Sequence, residues 1–476
     1  MTTHLPDEDS RLSLWLRVRR YAVPPSVIHT ATARRCVGDW AGACAAAGVD
    51  VDLHLPSVAR AYGRDCAARL RADLRNLAPD LLRWHMPRTA PDGLLRPGLT
   101  VALARYDGTG PDGADSLYLV VRTPPAWADA GQRIALGLWD RSRAEASPAA
   151  RDHPHPRPAR RFRLDLHRHL WDARRAGELR HRSGADRPPG TTPAPPSGGP
   201  ASAAPAYRCA PDLWPGEARL LFRADGLEPG PVEVRLGSRH RLVIDAATGR
   251  PAAPPAGGIR LPVLPDAAAW VPPDLELLRA GLIGPDRLHP LVAGALVPGH
   301  LPSGPAADAG PDDGTRFVDC RGARHRIGLV DGVLAALDHG PDELRREELL
   351  VALNGTPLPC LRAIDRAHRR PESLPGIRER LAHGDTAGAL AAVESLLGAG
   401  AVLRDGLLRD ELESAARQRI TYGLFRAGLA GPGPVRGPVR GPVRGPVRAA
   451  AGDGTEPPAR RVRPSRGRQR SSVLFY

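Results

Sequence analysis

Residues 100–122, TVALARYDGTGPDGADSLYLVVR, decide the reading of the fold. Leu117, Leu119 and Val121 alternate with Ser116, Tyr118 and Val120, the period of two that puts alternate side chains on one face of a strand. Thr100–Tyr106 (TVALARY) is a second short stretch of the same kind. Between them lies DGTGPDGAD, whose glycines, aspartates and proline make a turn. The pair therefore reads as a β-hairpin. Arg133–Trp139 (RIALGLW) and Arg161–Leu170 (RFRLDLHRHL) continue the pattern, so the expectation is an antiparallel meander.

Working upstream, residues 24–88 read as helical. Val58, Tyr62, Cys66, Leu70, Leu74 and Leu77 recur every three or four residues, one stripe of an amphipathic helix that packs on the meander. Pro79 stops it, and Asp80–Met86 forms a short second piece before Pro87.

Working downstream, residues 184–206 (GADRPPGTTPAPPSGGPASAAPA) hold almost nothing that a core would bury. They read as a disordered linker. Beyond it, Ala218–Arg223, Val232–Leu236 and His240–Asp245 read as strands. Asp274–Ile283 reads as a helix with Leu275, Leu278 and Leu282 on one face. Arg316–Cys320 and His325–Val330 read as a further hairpin. PDELRREELLVALNG, from Pro341, has proline and acids at its start and Asn354-Gly355 at its end, the signals that bound a helix. More helices are expected near 358–370, 374–383, 386–397 and 406–428.

The last stretch, 431–476, repeats GPVR four times and carries ten Arg against Asp453 and Glu456. Its prolines and glycines forbid helix and sheet. The fold class expected is therefore α+β in two domains. Residues 1–183 form helices plus meander, 184–206 the linker, and 207–430 a strand-rich unit followed by a helical bundle. Residues 431–476 form a disordered basic tail.

Composition bounds the function. Of 476 residues, 42% are hydrophobic, which excludes a wholly disordered chain. The formal net charge is +15, and all 67 basic residues are Arg. Asn occurs at positions 76 and 354 alone, and Met at 1 and 86. This bias follows a G+C-rich genome of the actinobacterial kind, so part of the arginine content reflects codon usage. No secretory pattern opens the chain and no apolar run is long enough to span a bilayer. The six cysteines (Cys36, Cys44, Cys66, Cys209, Cys320, Cys360) form no CxxC pair and read as reduced, mostly buried thiols. A cytoplasmic protein without membrane contact is expected.

One internal echo stands out. Residues 38–46, GDWAGACAA, and 384–392, GDTAGALAA, share G-D-x-A-G-A-x-A-A. Gly can end one helix in the left-handed conformation, Asp can cap the next, and small residues let the two approach. The echo resembles the turn of a tetratricopeptide-like helical hairpin, over nine positions each time.

Four features bear on chemistry. Asp165, His167 and His169 alternate, and on a strand they would share one face as a carboxylate and two imidazoles, a partial transition-metal site. His153, His155 and His181 lie nearby in sequence. The helix at 358–370 presents Arg362, Arg366, Arg369 and Arg370, as the second helix of a helix-turn-helix would. Cys320 and His325 invite a nucleophile and base, with no third group marked. In the tail, Arg436, Arg440, Arg444, Arg448, Arg460, Arg461 and Arg463 suit phosphate neutralisation, and Val-Leu-Phe-Tyr ends it as an apolar segment able to dock on a partner or on the chain's own body. The P-loop, GxSxG and HExxH signatures are all missing. The reading that follows is non-enzymatic. An accessory protein would bind an unknown protein partner, its tail would attract nucleic acid or another acidic partner, and no cofactor is expected. The alternatives are a metal-dependent hydrolase or nuclease at Asp165, His167 and His169, and a helix-turn-helix DNA-binding regulator.

Overall fold

The computed structural model describes residues 6–109, 115–129, 131–140, 153–187, 209–236, 240–254, 260–300, 316–320, 322–331, 333–354, 357–431 and 474–475. It is a mixed α+β structure. Most of the linker expected at 184–206, and nearly all of the expected tail, lie outside the described residues. Among those described, no helix is long and apolar enough to cross a membrane.

The meander forms. Thr100–Thr109, Asp115–Arg122 and Ile134–Asp140 pair antiparallel, with Val101 opposite Val121 and Leu119 opposite Leu138. A fourth strand, Val49–Val51, adds to the far edge in parallel with Ile134–Leu136. Val101, Leu103, Leu117, Leu119, Val121, Ile134 and Leu136 are all buried. The upstream stripe breaks where one helix was expected. Gly63 takes φ +90° and divides it into Leu55–Tyr62 and Arg64–Asn76. Both pieces still bury the stripe, through Val58, Cys66, Leu70 and Leu74.

Two expected strands are absent. Arg161–Leu170 joins the meander through the bridge between Ala102 and Arg163 and then coils. Successive turns donate from Leu166 N to Arg163 O, His167 N to Leu164 O and Leu170 N to His167 O. The spacing of three in Leu164, His167 and Leu170 wins over the spacing of two. Ala218–Arg223 lies inside a helix, Trp214–Asp225, which buries Ala218, Leu221 and Phe222 at helical spacing and ends on left-handed Gly226. Pro231–Arg235 and Arg241–Asp245 form the other two strands expected there, within a residue at each end, and pair antiparallel as a hairpin. Arg316–Cys320 and Ala323–Val330 form another, extended by Val333–Ala336. The helices Pro341–Asn354, Pro359–Arg369, Leu374–Ala382, Thr386–Leu397 and Leu407–Arg426 close the order.

The buried apolar residues gather in three clusters. One apolar cluster runs from Leu14 to Leu179 and also takes in Val271, Leu275, Leu277, Ile283, Leu288, Val292 and Leu296 from beyond residue 206. A second comprises residues 209–269 and a third residues 320–408. Polar contacts bind Pro273–Arg279 to the first core. Buried Asp274 accepts from Arg19 (2.6 Å) and from Trp84 Nε1 (2.7 Å), while Arg19 lies 4.0 Å over the Trp84 ring. His289 Nε2 stands 2.9 Å from Asp80, and Arg11 pairs with Glu276. A buried ion pair held this way is costly to break from one side, because the remaining charge is stranded.

The echoed sequences adopt one geometry. Gly38 and Gly384 take φ +82° and +86°. Asp39 and Asp385 each accept from a backbone N–H three residues on, Gly42 and Gly388. Arg34 and Arg380 pair with those same carboxylates. The second hairpin docks on the first unit through Arg83, which donates to Ala22 O (3.2 Å), Ala47 O (3.2 Å) and His383 O (2.7 Å). Burial pulls the Arg83 guanidinium down to about 10. Tyr422 donates to Asp50 (2.6 Å), and Phe425 meets Trp127 edge-on, extending the contact. Finally, Leu474–Phe475 pairs antiparallel with Arg88–Thr89, on the chain's own body.

Candidate functional site

A cleft of about 1120 Å³ opens between the start of the meander and the hairpin Pro231–Asp245. Seven arginines line it: Arg96, Arg157, Arg160, Arg161, Arg235, Arg241 and Arg260. The local structure explains their convergence. Arg157, Arg160 and Arg161 lie on the segment that caps the meander, where Ala159 N donates to Thr100 O. Arg235 and Arg241 face each other across the hairpin. Their carboxylate partners are few. Glu233 serves Arg235 (2.7 Å) and Arg241 (3.5 Å). Asp266 binds Arg161 (2.6 Å). Among the described residues, Arg96, Arg157, Arg160 and Arg260 pair with no carboxylate. Burial, then the neighbouring charge of Arg161, pulls Arg96 below the usual arginine range. Burial pushes the Asp266 carboxyl up to about 6 against the pull of Arg161. Such an excess of cations in a concave wall focuses a positive potential. It suits a ligand carrying several negative charges, which arginine forks grip through paired N–H donors.

A second constellation lies in the third core. Cys320, His325, His339 and Cys360 bring one sulfur or nitrogen each to within 4.8 Å of one another. Cys320 ends one strand and His325 sits on the next, His339 precedes the helix at Pro341, and Cys360 stands in the first turn of Pro359–Arg369. Cys320, His339 and Cys360 are buried. His325 Nδ1 lies 2.7 Å from His339 Nε2, and His339 Nδ1 lies 3.2 Å from Glu343. Burial, then the neighbouring Cys320 thiol, pushes the Cys360 thiol up to about 11.

The structure gives Asp165, His167 and His169 other partners. Asp165 binds Arg163 (2.8 Å). His167 Nδ1 and His169 Nδ1 both stand 3.2 Å from the Arg182 guanidinium, which is itself paired with Glu217. A fixed cation thus occupies the space between the two imidazoles. Burial, then that charge, holds both histidines well below their usual range and therefore neutral. In the helix Pro359–Arg369, Cys360, Ile364, Ala367 and His368 face inward. Arg362, Arg366 and Arg370 are exposed, while Arg369 binds Asp365. Of the expected tail arginines, Arg436, Arg440, Arg444, Arg448, Arg460, Arg461 and Arg463 all lie outside the described residues. All six cysteines are thiols and five of them are buried, as expected from their sequence, with Cys36 exposed.

Sequence reasoning reached half of the Cys320 constellation and none of the cleft. Cys320 and His325 were visible as a pair across a hairpin. His339 and Cys360 join them only once the sheet folds against the helix. Arg96, Arg157, Arg160 and Arg260 lie outside the periodic stretches, and Arg161, Arg235 and Arg241 lie in stretches read as ordinary strands, so nothing local marks the seven as one group. Comparison with protein-family models, curated proteins and solved structures gave no match.

Proposed function

We propose that this chain is a non-enzymatic, cytoplasmic accessory protein that holds the phosphate backbone of a nucleic acid in its arginine-lined cleft. The observation that carries the reading is the set of four arginines, Arg96, Arg157, Arg160 and Arg260, that have no carboxylate partner among the described residues and stand around one cleft. Backbone phosphates supply repeated charge at a regular spacing, and neutralising them releases counterions. The basic tail would add to the same attraction.

The test is fluorescence anisotropy of a labelled single-stranded oligonucleotide across a salt series. Three arrangements of the full chain are compared: unaltered, with Arg157→Ala, Arg160→Ala and Arg260→Ala together, and with the seven named tail arginines changed to Ser. If the cleft binds, the triple variant lowers the slope of log K against log salt by about 2, roughly 0.7 for each lost phosphate contact on a single strand. The tail variant keeps measurable binding. Loss of all binding in the tail variant, with the cleft intact, refutes the cleft reading.

A protein partner is the second reading. Its support is the helix Pro341–Asn354, where Leu349 and Leu353 are 65% and 80% exposed beside Leu350. Leucines this open on one helix are a common mark of an interaction surface. Cross-linking from Cys introduced at Leu353, followed by mass spectrometry, tests it.

A further inference from the structure

We infer that Cys320, His325, His339 and Cys360 bind one zinc ion as a closed structural site. The inference is independent of the cleft. Zinc in proteins takes four ligands in a tetrahedron, and two thiolates with two imidazoles is one of its standard sets. With bonds of about 2.0 Å to nitrogen and 2.3 Å to sulfur, the four donor atoms stand about 3.3–3.8 Å apart. The four atoms here, all within 4.8 Å of one another, need only small adjustment to enclose an ion. His325 Nδ1 and His339 Nε2, 2.7 Å apart, would separate by about 0.6 Å as the ion enters.

Three further features fit. First, the donors are soft and borderline, sulfur and imidazole, which favours zinc over magnesium or calcium. They crowd around one point, so a two-iron cluster, whose pairs of ligands sit on different metals, does not fit between them. Second, His339 Nε2 meets His325, while the buried His339 Nδ1 stands 3.2 Å from the Glu343 carboxylate without yet being hydrogen-bonded to it, near enough for that bond to form. A carboxylate behind a ligating histidine fixes its tautomer and raises its basicity. Third, all four positions are supplied by protein and three are buried. No coordination position is left for water or substrate, which marks a structural site and not a catalytic one. Binding is balanced as follows. Two neutral imidazoles donate lone pairs, two Cys S–H groups each give up a proton to solvent, and the neutral Zn(Cys)2(His)2 unit releases two protons per ion.

What the ion does follows from where its ligands sit. The sheet Arg316–Ala336 and the helix Pro359–Arg369 each contribute, so the ion fastens one to the other across 40 residues of chain. The core they share is small, and Cys320 and Cys360 belong to it. Small cores commonly depend on such a staple.

The experiment uses the full chain, purified without chelator under reducing conditions. Elemental analysis should return about one zinc per chain, and titration of the thiols with a mercurial should release it. Cys320→Ser and Cys360→Ser should each lose the metal, while Cys66→Ser, outside the cluster, keeps it. Because either cluster variant could fail to fold, the unaltered chain is also loaded with Co2+. Thiolate charge-transfer absorption together with intense visible bands is the signature of tetrahedral cobalt on sulfur. Glu343→Gln should weaken zinc binding about ten- to a hundredfold while the cobalt spectrum keeps its form. A folded, reduced chain that takes up neither zinc nor cobalt overturns the inference. So does a Cys320–Cys360 disulfide in the chain as purified, or zinc retained by Cys360→Ser.

Discussion

At the scale of single residues, two glycines that open the same sequence motif have different neighbours in space. Gly38 and Gly384 share their left-handed backbone and the Asp cap that follows. A Cβ at Gly38 would meet nothing within 4 Å, whereas one at Gly384 would overlap the carbonyl oxygen of Gly131. Gly38→Ala should therefore cost only the strain of the left-handed conformation, about 1–2 kcal/mol. Gly384→Ala adds a backbone clash that only undocking of the second hairpin relieves. Denaturant titration of the two variants should show the larger loss for Gly384→Ala, and equal losses would refute the docking at Gly131. The local turn was legible in the sequence because its causes lie within nine residues. The docking was not, because it depends on Arg83, some 300 positions away, reaching the His383 carbonyl.

At the scale of elements, what could be read was whatever local periodicity decides. The meander strands, the hairpin Pro231–Asp245 and the C-terminal helices follow their patterns closely. Arg161–Leu170 misled because two periods coexist in it, and tertiary partners chose between them: Arg163 took Asp165, and Arg182 took both histidines. The grouping of Cys320, His325, His339 and Cys360 was illegible for a related reason. A ligand set separated by four, thirteen and twenty intervening residues leaves no short motif to find. If zinc fastens the third core, its removal acts on elements and not on the whole. Treating the full chain with a chelator should raise hydrogen exchange across Arg316–Ala336 and the first turn of Pro359–Arg369. The meander at Thr100–Asp140 should keep its protection. Uniform loss across both regions would mean that the ion stabilises the chain some other way.

At the scale of the whole molecule, buried neutral histidines set the response to acid. Burial, then the charges of Arg88, Arg83 and Arg17, pulls His383 down to about 3. Burial, opposed in part by Asp274, pulls His85 down to about 4. In the unfolded chain both return to about 6.5, so unfolding below that pH takes up protons. Their contribution is present in full above pH 6.5 and is lost as pH falls toward 4 and then 3. At pH 5 the loss is about 2 kcal/mol for each histidine, from 1.4 kcal/mol per pH unit. Denaturation at pH 7, 6 and 5 should show this decline, and His383→Gln should flatten it. Since His383 stacks on Tyr21 and offers its carbonyl to Arg83, acid should loosen the hairpin contact before the meander.

The first core draws on residues 14–179 and again on residues 271–296. Covalent continuity between those stretches is therefore dispensable once they have met. A chain divided at residue 195 and produced as two polypeptides should reassemble into one particle, since Asp274, Glu276 and His289 of the second fragment complete ion pairs that Arg19, Arg11 and Asp80 of the first begin. Fragment complementation of this kind would make the two halves a conditional pair, each a specific ligand for the other.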